Sequence, residues 1–299
     1  MGLLALFVAG FIGGQSTLLL KIGIKDFPPL LFTCLRFIIA TTVLLPFFIL
    51  QKEKLKRPDI KQLSLQSIFF AGNVGIFSIA SQHTGAIMSQ ILYTIVPLVV
   101  SVLSYFILNE KFTRHKIIGL IIAMGGIIFL IQQSASKMDI LSLGTPLGNF
   151  LTLLAVLSWA VYMVLSKKLT RVYSPVTTSF VSYAITAFIL LILVPIEQSV
   201  RPLILSHVTP LGVLSLFTIG IISSALMFFL IQFAIKRTSA FTASFFQYLG
   251  PLSAAITAIP FLGEKLTGGL IISGVLVIFG VFYATTYPYA KRGIRYMLK

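Results

Sequence analysis

Arg36 is the one basic side chain set within a long apolar run, LLFTCLRFIIATTVLLPFF, about two turns from where that run begins. A charge in hydrocarbon costs at least about 2.5 kcal/mol, so its presence there needs a reason. The guanidinium either snorkels to a headgroup layer, binds a neighbouring helix, or offers planar paired donors to an anionic group on a solute. Gln15, Asn73, Gln90, Tyr93, Trp159, Tyr162, Gln232, Gln247 and Tyr248 place amides and polar-tipped rings in other apolar runs. Such groups turn from lipid into the bundle, to hydrogen-bond between helices or to bind a solute. Trp159 and Tyr162 lie three positions apart, so they share a helix face and could form an aromatic wall. The other reading of Trp159 is a residue of the interfacial aromatic belt. Glu110 and Glu264 end apolar runs, where each could gate one mouth of a pathway or simply pair with Lys111 or Lys265.

Enzymatic chemistry finds no such foothold. The chain has no HExxH pattern, nucleophile elbow, paired intramembrane aspartate or GxxxxGK[ST] loop. No catalytic residue, metal site or cofactor is therefore expected, and coupling to ATP would need a separate subunit. All seven acids fall in loops or at helix ends, which leaves no buried carboxylate relay for protons. The single cysteine, Cys34, lies in an apolar run and offers neither a disulfide framework nor a thiolate cluster.

The elements that must position these residues are membrane helices. With 57% hydrophobic and 10% charged residues over 299 positions, the chain is too apolar to present a charged surface to water. Apolar runs near 2–21, 29–50, 63–83, 86–108, 115–133, 146–167, 176–196, 211–234, 239–262 and 268–288 predict ten transmembrane helices. The first run, with no cleavage site leading to a polar domain, reads as a helix and not as a signal peptide. Most of the 23 Lys and Arg fall in alternate breaks, as in the 52–61 and 291–299 segments. Both termini are then cytoplasmic, with 291–299 a basic tail. The formal charge of +16 is accounted for by basic residues near anionic lipid, without nucleic acid.

The chain also repeats itself. ILYTIVPLVVSVLSYFILNEKFTRHKIIGLIIAMGG from Ile91 aligns without gaps on the segment from Phe245 at a shift of 154, bringing Pro97 onto Pro251, Glu110 onto Glu264 and Thr113 onto Thr267. Lys21 and Pro29 match Lys167 and Pro175 at a shift of 146. Two units, 1–135 and 142–290, would then hold five helices each, and the odd number makes the repeat inverted. Pro97 and Pro251, matched and mid-run, are candidate hinges, because each removes a backbone hydrogen bond. Gly10 with Gly14, and Gly119 with Ala123, have the spacing that lets helices pack closely.

The stretch KIGIKDFPPLLFTCLR, the LNEKFT turn with its weaker copy LGEKLT, and SWAVYMVLSKKL resemble the drug/metabolite transporter superfamily, in particular its EamA-type members. The resemblance spans essentially the whole chain. It implies a cavity between two EamA-like halves, lined mainly by the first, third, fourth, sixth, eighth and ninth helices, with substrates such as amino acids, nucleotide-related metabolites and drugs. An all-α integral membrane protein that moves a small metabolite by alternating access is the expectation, with export of amino acids or similar amphipathic solutes across the cell membrane favoured. Uptake of a scavenged metabolite is the alternative in the same class, and a channel or membrane-embedded enzyme the alternative outside it. An exposed face on the fifth or tenth helix could support a homodimer.

Overall fold

Prolines and short hydroxyl side chains start most of the helices. In the computed structural model, proline occupies one of the first two positions of α2 (Pro29–Gln51), α3 (Arg57–Ala80), α5 (Val96–Leu108), α7 (Pro146–Leu169), α8 (Pro175–Val200) and α9 (Pro210–Thr218). There its missing N–H costs nothing and its fixed φ suits the first turn. Thr145, Ser174 and Thr209 precede three of these helices, and each side-chain oxygen accepts from a backbone N–H of the first turn. The structure describes residues 1–110, 113–135, 144–253, 271–272 and 274–284.

The remaining elements are α1 (Gly2–Asp26), α4 (Ala86–Tyr93), α6 (Arg114–Ala135), α10 (Phe228–Arg237), α11 (Ala240–Ser244) and α12 (Gly274–Ala284). Among the described residues there is no strand. α9 runs without a break through a π-helical stretch, Ile219–Met227, into α10. Among the described residues, seven spans are long and apolar enough to cross a membrane: α1, α2, α3, Met88–Leu108, α7, α8 and Pro210–Arg237. The expected third run starts six residues late, because Pro58 and a charged first turn extend α3 beyond its apolar window.

Contacts between helix ends fix the direction of each helix. At the end carrying the amino terminus, here called proximal, Gly2 lies against Arg237, and Ser174 donates to Gln51 and Glu53. At the opposite, distal end, Arg201 donates to the Ile24 carbonyl at 3.0 Å, Thr209 N–H to Asp26 at 2.9 Å, and Thr145 N–H to the His83 carbonyl at 2.7 Å. α3 packs most extensively on α7, and α2 on α8.

The bundle is apolar outside and partly polar inside. Phe106 is 73% exposed and Phe188 64%, whereas Thr33, Ser67, Thr178, Ser182 and Ser224 are fully buried or nearly so. Among these, Ser182 accepts from Gln66 across the contact of α8 with α3 at 3.1 Å, while Ser67 and Thr178 donate to carbonyls one turn back in their own chain segment. At its centre Phe37, Phe70, Trp159, Tyr162, Tyr183 and Phe228 form one aromatic cluster, with Phe70 4.7 Å from Tyr162 and 4.9 Å from Phe228 between ring centroids. Close helix approach depends on missing side chains: a Cβ on Gly14 would stand 2.5 Å from the Gly250 carbonyl oxygen. Gly119 and Ala123 meet Gly280 and Ala284 in the same way, pairing α6 with α12.

Gly14→Ala must push two backbones apart and should lower stability by about 1–3 kcal/mol in a denaturing-detergent titration. Gly13→Ala, whose Cβ would meet only Met227 Sδ at 3.5 Å, should leave it unchanged. Equal stability of the two variants would contradict the packing described. Glu53 gives a pH prediction. Burial opposes its ionisation, but hydrogen bonds from Thr177 and Ser174, with Lys236 nearby, outweigh burial and hold its carboxyl below the usual range. A lowered folded-state pKa adds stability in full above the unfolded-state value of roughly 4.3, and this is lost as pH falls through the folded-state value. Glu53→Gln should therefore be less stable than the parent at neutral pH. The gap should close on acidification below about pH 4, and a gap that widened would refute the assignment.

Candidate functional site

A cavity of about 90 Å³ lies in the distal half of the bundle, between α1, α2, α3, α4, α7, the π-helical stretch and the segment after α11. That is space for roughly six to nine waters at about 10–15 Å³ each, the scale of a small metabolite. Arg36 reaches it from α2, Asn73 from α3, Gln90 and Tyr93 from α4, Trp159 from α7, and Gln247 from beyond α11. The six belong to five separate stretches of chain that only the folded bundle assembles.

Arg36 does not snorkel. It is 7% exposed, its Nε has no hydrogen-bond partner, and its guanidinium carbon sits 4.9 Å from the centroid of the Phe37 ring. Among the described residues, no Asp or Glu lines the cavity. Nor does Trp159 belong to an interfacial belt. It is 2% exposed, stacks on Tyr162 at 5.0 Å, and its indole N–H is buried without an acceptor.

The other polar groups are tied in a definite order. Asn73 Nδ2 donates to the Tyr93 hydroxyl at 2.6 Å and to the Ala155 carbonyl at 2.8 Å. Gln90 Nε2 donates to Thr17 Oγ1 at 2.5 Å. Its Oε1 would stand 2.5 Å from a Cβ on Gly250, so a side chain there would turn the Gln90 amide away. Ser16 Oγ donates to Ser223 Oγ at 2.7 Å, joining α1 to the π-helical stretch. In these bonds the Tyr93 and Thr17 hydroxyls act as acceptors, which leaves their own protons to point elsewhere.

Four expected site residues lie outside the cavity wall, and packing explains each. Gln15 turns to the far side of α1 and donates to the Ser253 carbonyl and hydroxyl at 3.1 and 2.9 Å. Gln232 donates to Tyr162 and, at 3.0 Å, to Ser166, so both side chains serve a proximal polar network below the aromatic cluster. The expected Trp159–Tyr162 wall is thus stacked as foreseen, but only Trp159 faces the cavity. Tyr248 is fully buried in the core against Phe245. The wall instead includes Ser16, Thr17, Ser223, Met227, Phe228 and Phe246. Ser and Thr are too common in these runs to stand out in sequence, and nothing there marks the π-helical turn that aims Ser223 and Met227.

Each proline follows a break in the regular helix. α4 ends at Tyr93, and Pro97 occupies the first turn of α5 after a break at Thr94 and Ile95. Phe245–Tyr248 forms a 3₁₀ turn, and Pro251 lies in the helical residues 249–253 beyond it. Both breaks come just before the matched prolines. Glu110 follows Asn109, which closes α5 in the left-handed conformation at φ 54°, and its carboxylate lies near Lys116 and Lys167, at the proximal end. Glu264, Lys265 and Lys111 lie outside the described residues.

The profile of the EamA-like transporter family matches residues 1–132 and 146–286. The uncharacterized transporter YoaV of Bacillus subtilis (strain 168) is 26% identical over 295 residues, covering 98% of this chain and 99% of its own. The uncharacterized inner membrane transporter YedA of Escherichia coli (strain K12) is 25% identical over 295 residues, or 95% of this chain and 92% of its own. A protein of known crystal structure, 19% identical, shares the fold with a TM-score of 0.71 over 93% of this chain and 98% of that one. Nearly the whole chain thus has the apolar helices, the two matched segments and the named relatives of a multi-pass membrane transporter rather than an enzyme, and it belongs to the EamA-like transporter family.

Proposed function

We propose that the protein is a secondary transporter of ten helices in two inverted five-helix repeats, which passes a small amphipathic metabolite through the Arg36 cavity by alternating access. Solutes of about the size of an amino acid fall within its reach. Export is the direction we assign, from a cytoplasmic proximal end that carries both termini, across the cell membrane; the name of the Escherichia coli relative supports that location.

One observation carries the reading. Lys21, at the distal end of α1, donates to the Thr84 carbonyl in the α3–α4 turn at 2.6 Å. Lys167, at the proximal end of α7, donates to the Thr238 carbonyl in the α10–α11 turn and to Ile235 at 2.8 Å. The lysines are 146 residues apart, the shift that relates the two α1-like helices, and the threonines 154 apart, the shift that relates the two proline segments. Equivalent side chains thus tie equivalent turns at opposite ends of the bundle. Inverted halves that can exchange conformations need closures of similar strength at each end, and this pair supplies them. The cavity lies between the two ties.

Counterflow in proteoliposomes, at zero pH gradient and zero potential, tests the proposal. With vesicles preloaded with mixed amino acids, organic acids and nucleotides, a labelled solute should enter saturably, and faster when the same solute waits inside. Linear uptake with no stimulation from the far side would indicate a pore and defeat the carrier reading.

A further inference from the structure

We propose that the cargo is a small organic monoanion, a carboxylate with an apolar tail such as a 2-hydroxy acid, and not a zwitterionic amino acid. The inference rests on the reading of the cavity as the solute site and narrows its substrate class.

Charge decides first. Arg36 is 7% exposed and lines the cavity, while no carboxylate among the described residues does. Four described acids are engaged by other groups. Glu197 accepts from the amides of Leu30 and Leu31 at 2.8 Å, Asp26 from Thr209, Glu53 from Ser174, and Asp59 from the Tyr173 hydroxyl at 2.7 Å. A zwitterion would bring one charge of each sign and leave the guanidinium uncompensated. Its ammonium would also sit within the same small cavity as Arg36, with no carboxylate to receive it. A monoanion leaves the loaded site neutral, which is the state that crosses a low-dielectric bundle at least cost.

Hydrogen-bonding capacity points the same way. The Tyr93 and Thr17 hydroxyls accept from Asn73 and Gln90 and keep their own protons to give. The Trp159 indole N–H, buried without a partner, can only donate. With Arg36, four donors surround the cavity, a set that matches the lone pairs of a carboxylate and a neighbouring hydroxyl. Phe77, Met227, Phe228 and Phe246 supply an apolar wall for the tail.

Trp159 is the only tryptophan of the chain, so its fluorescence reports on the cavity directly. The full-length protein in detergent is titrated with 2-hydroxy-4-methylpentanoate and with leucine, which share one carbon skeleton and differ in net charge. The hydroxy acid should give a saturable change with an affinity at least about tenfold tighter than leucine. Arg36→Gln should weaken the acid by about tenfold or more, and Arg36→Lys by less, because the ammonium keeps the charge but not the planar fork. Tyr93→Phe, which removes one donor and leaves the charge, should weaken it by several-fold and serves if the Arg36 variants do not fold. Equal or tighter leucine binding, no saturable response to the acid, or unchanged affinity in the folded variants would overturn the proposal. Wild-type counterflow of amino acids without response to the acid would overturn the anion class and leave the carrier standing. Binding of the acid without counterflow of any solute would do the reverse.

Discussion

A buried guanidinium with no carboxylate beside it among the described residues is the constraint around which this bundle is arranged. In a hydrocarbon-like interior, an isolated charge of that kind is costly by several kcal/mol even on lenient scales. The structure lowers the cost in three ways. Arg36 rests over the Phe37 ring, faces a cavity and not lipid, and stands near hydroxyls and amides that can share its solvation. None of these neutralises it. A charge left unbalanced by the described residues is free to be balanced by what passes through.

Irregular backbone gathers around the same cavity. The break between α4 and α5, the π-helical stretch before α10 and the 3₁₀ turn after α11 each contribute lining residues or lie beside them. Within a membrane such departures from helix are tolerated only where protein or a polar cavity can meet the released backbone groups. The proximal half is regular by comparison, closed by the aromatic cluster and, beneath it, by the Gln232, Tyr162 and Ser166 network. The proximal end is thus sealed by packing and by the Lys167 tie, and the distal end is tied by Lys21.

Much of the architecture was legible in the sequence because lipid imposes a simple code. Apolar runs of about twenty residues, and Gly10 and Gly14 on one helix face, each have a direct physical meaning. Arg36 stood out for the same reason. The site was harder to read. Gln90 and Gln15 have one side-chain chemistry and similar apolar surroundings, yet one lines the cavity and the other bonds Ser253 on the far side of its helix. Only the rotation of each helix, set by packing against several neighbours at once, separates them. Ser223 depended on a π-helical turn that no local pattern announces. The mid-helix kinks expected at Pro97 and Pro251 became breaks one turn earlier, since proline tolerates the start of a helix better than its middle.

Alternating exposure of the Arg36 cavity is the central claim, and Ser223 offers the most direct access to it. A Ser223→Cys variant, with buried Cys34 replaced by alanine, is treated with a membrane-impermeant thiol reagent in right-side-out and in inverted vesicles. The account predicts labelling from both faces, slowed in each by saturating transported solute. Labelling from one face alone under every condition, or labelling that solute does not slow, would contradict it.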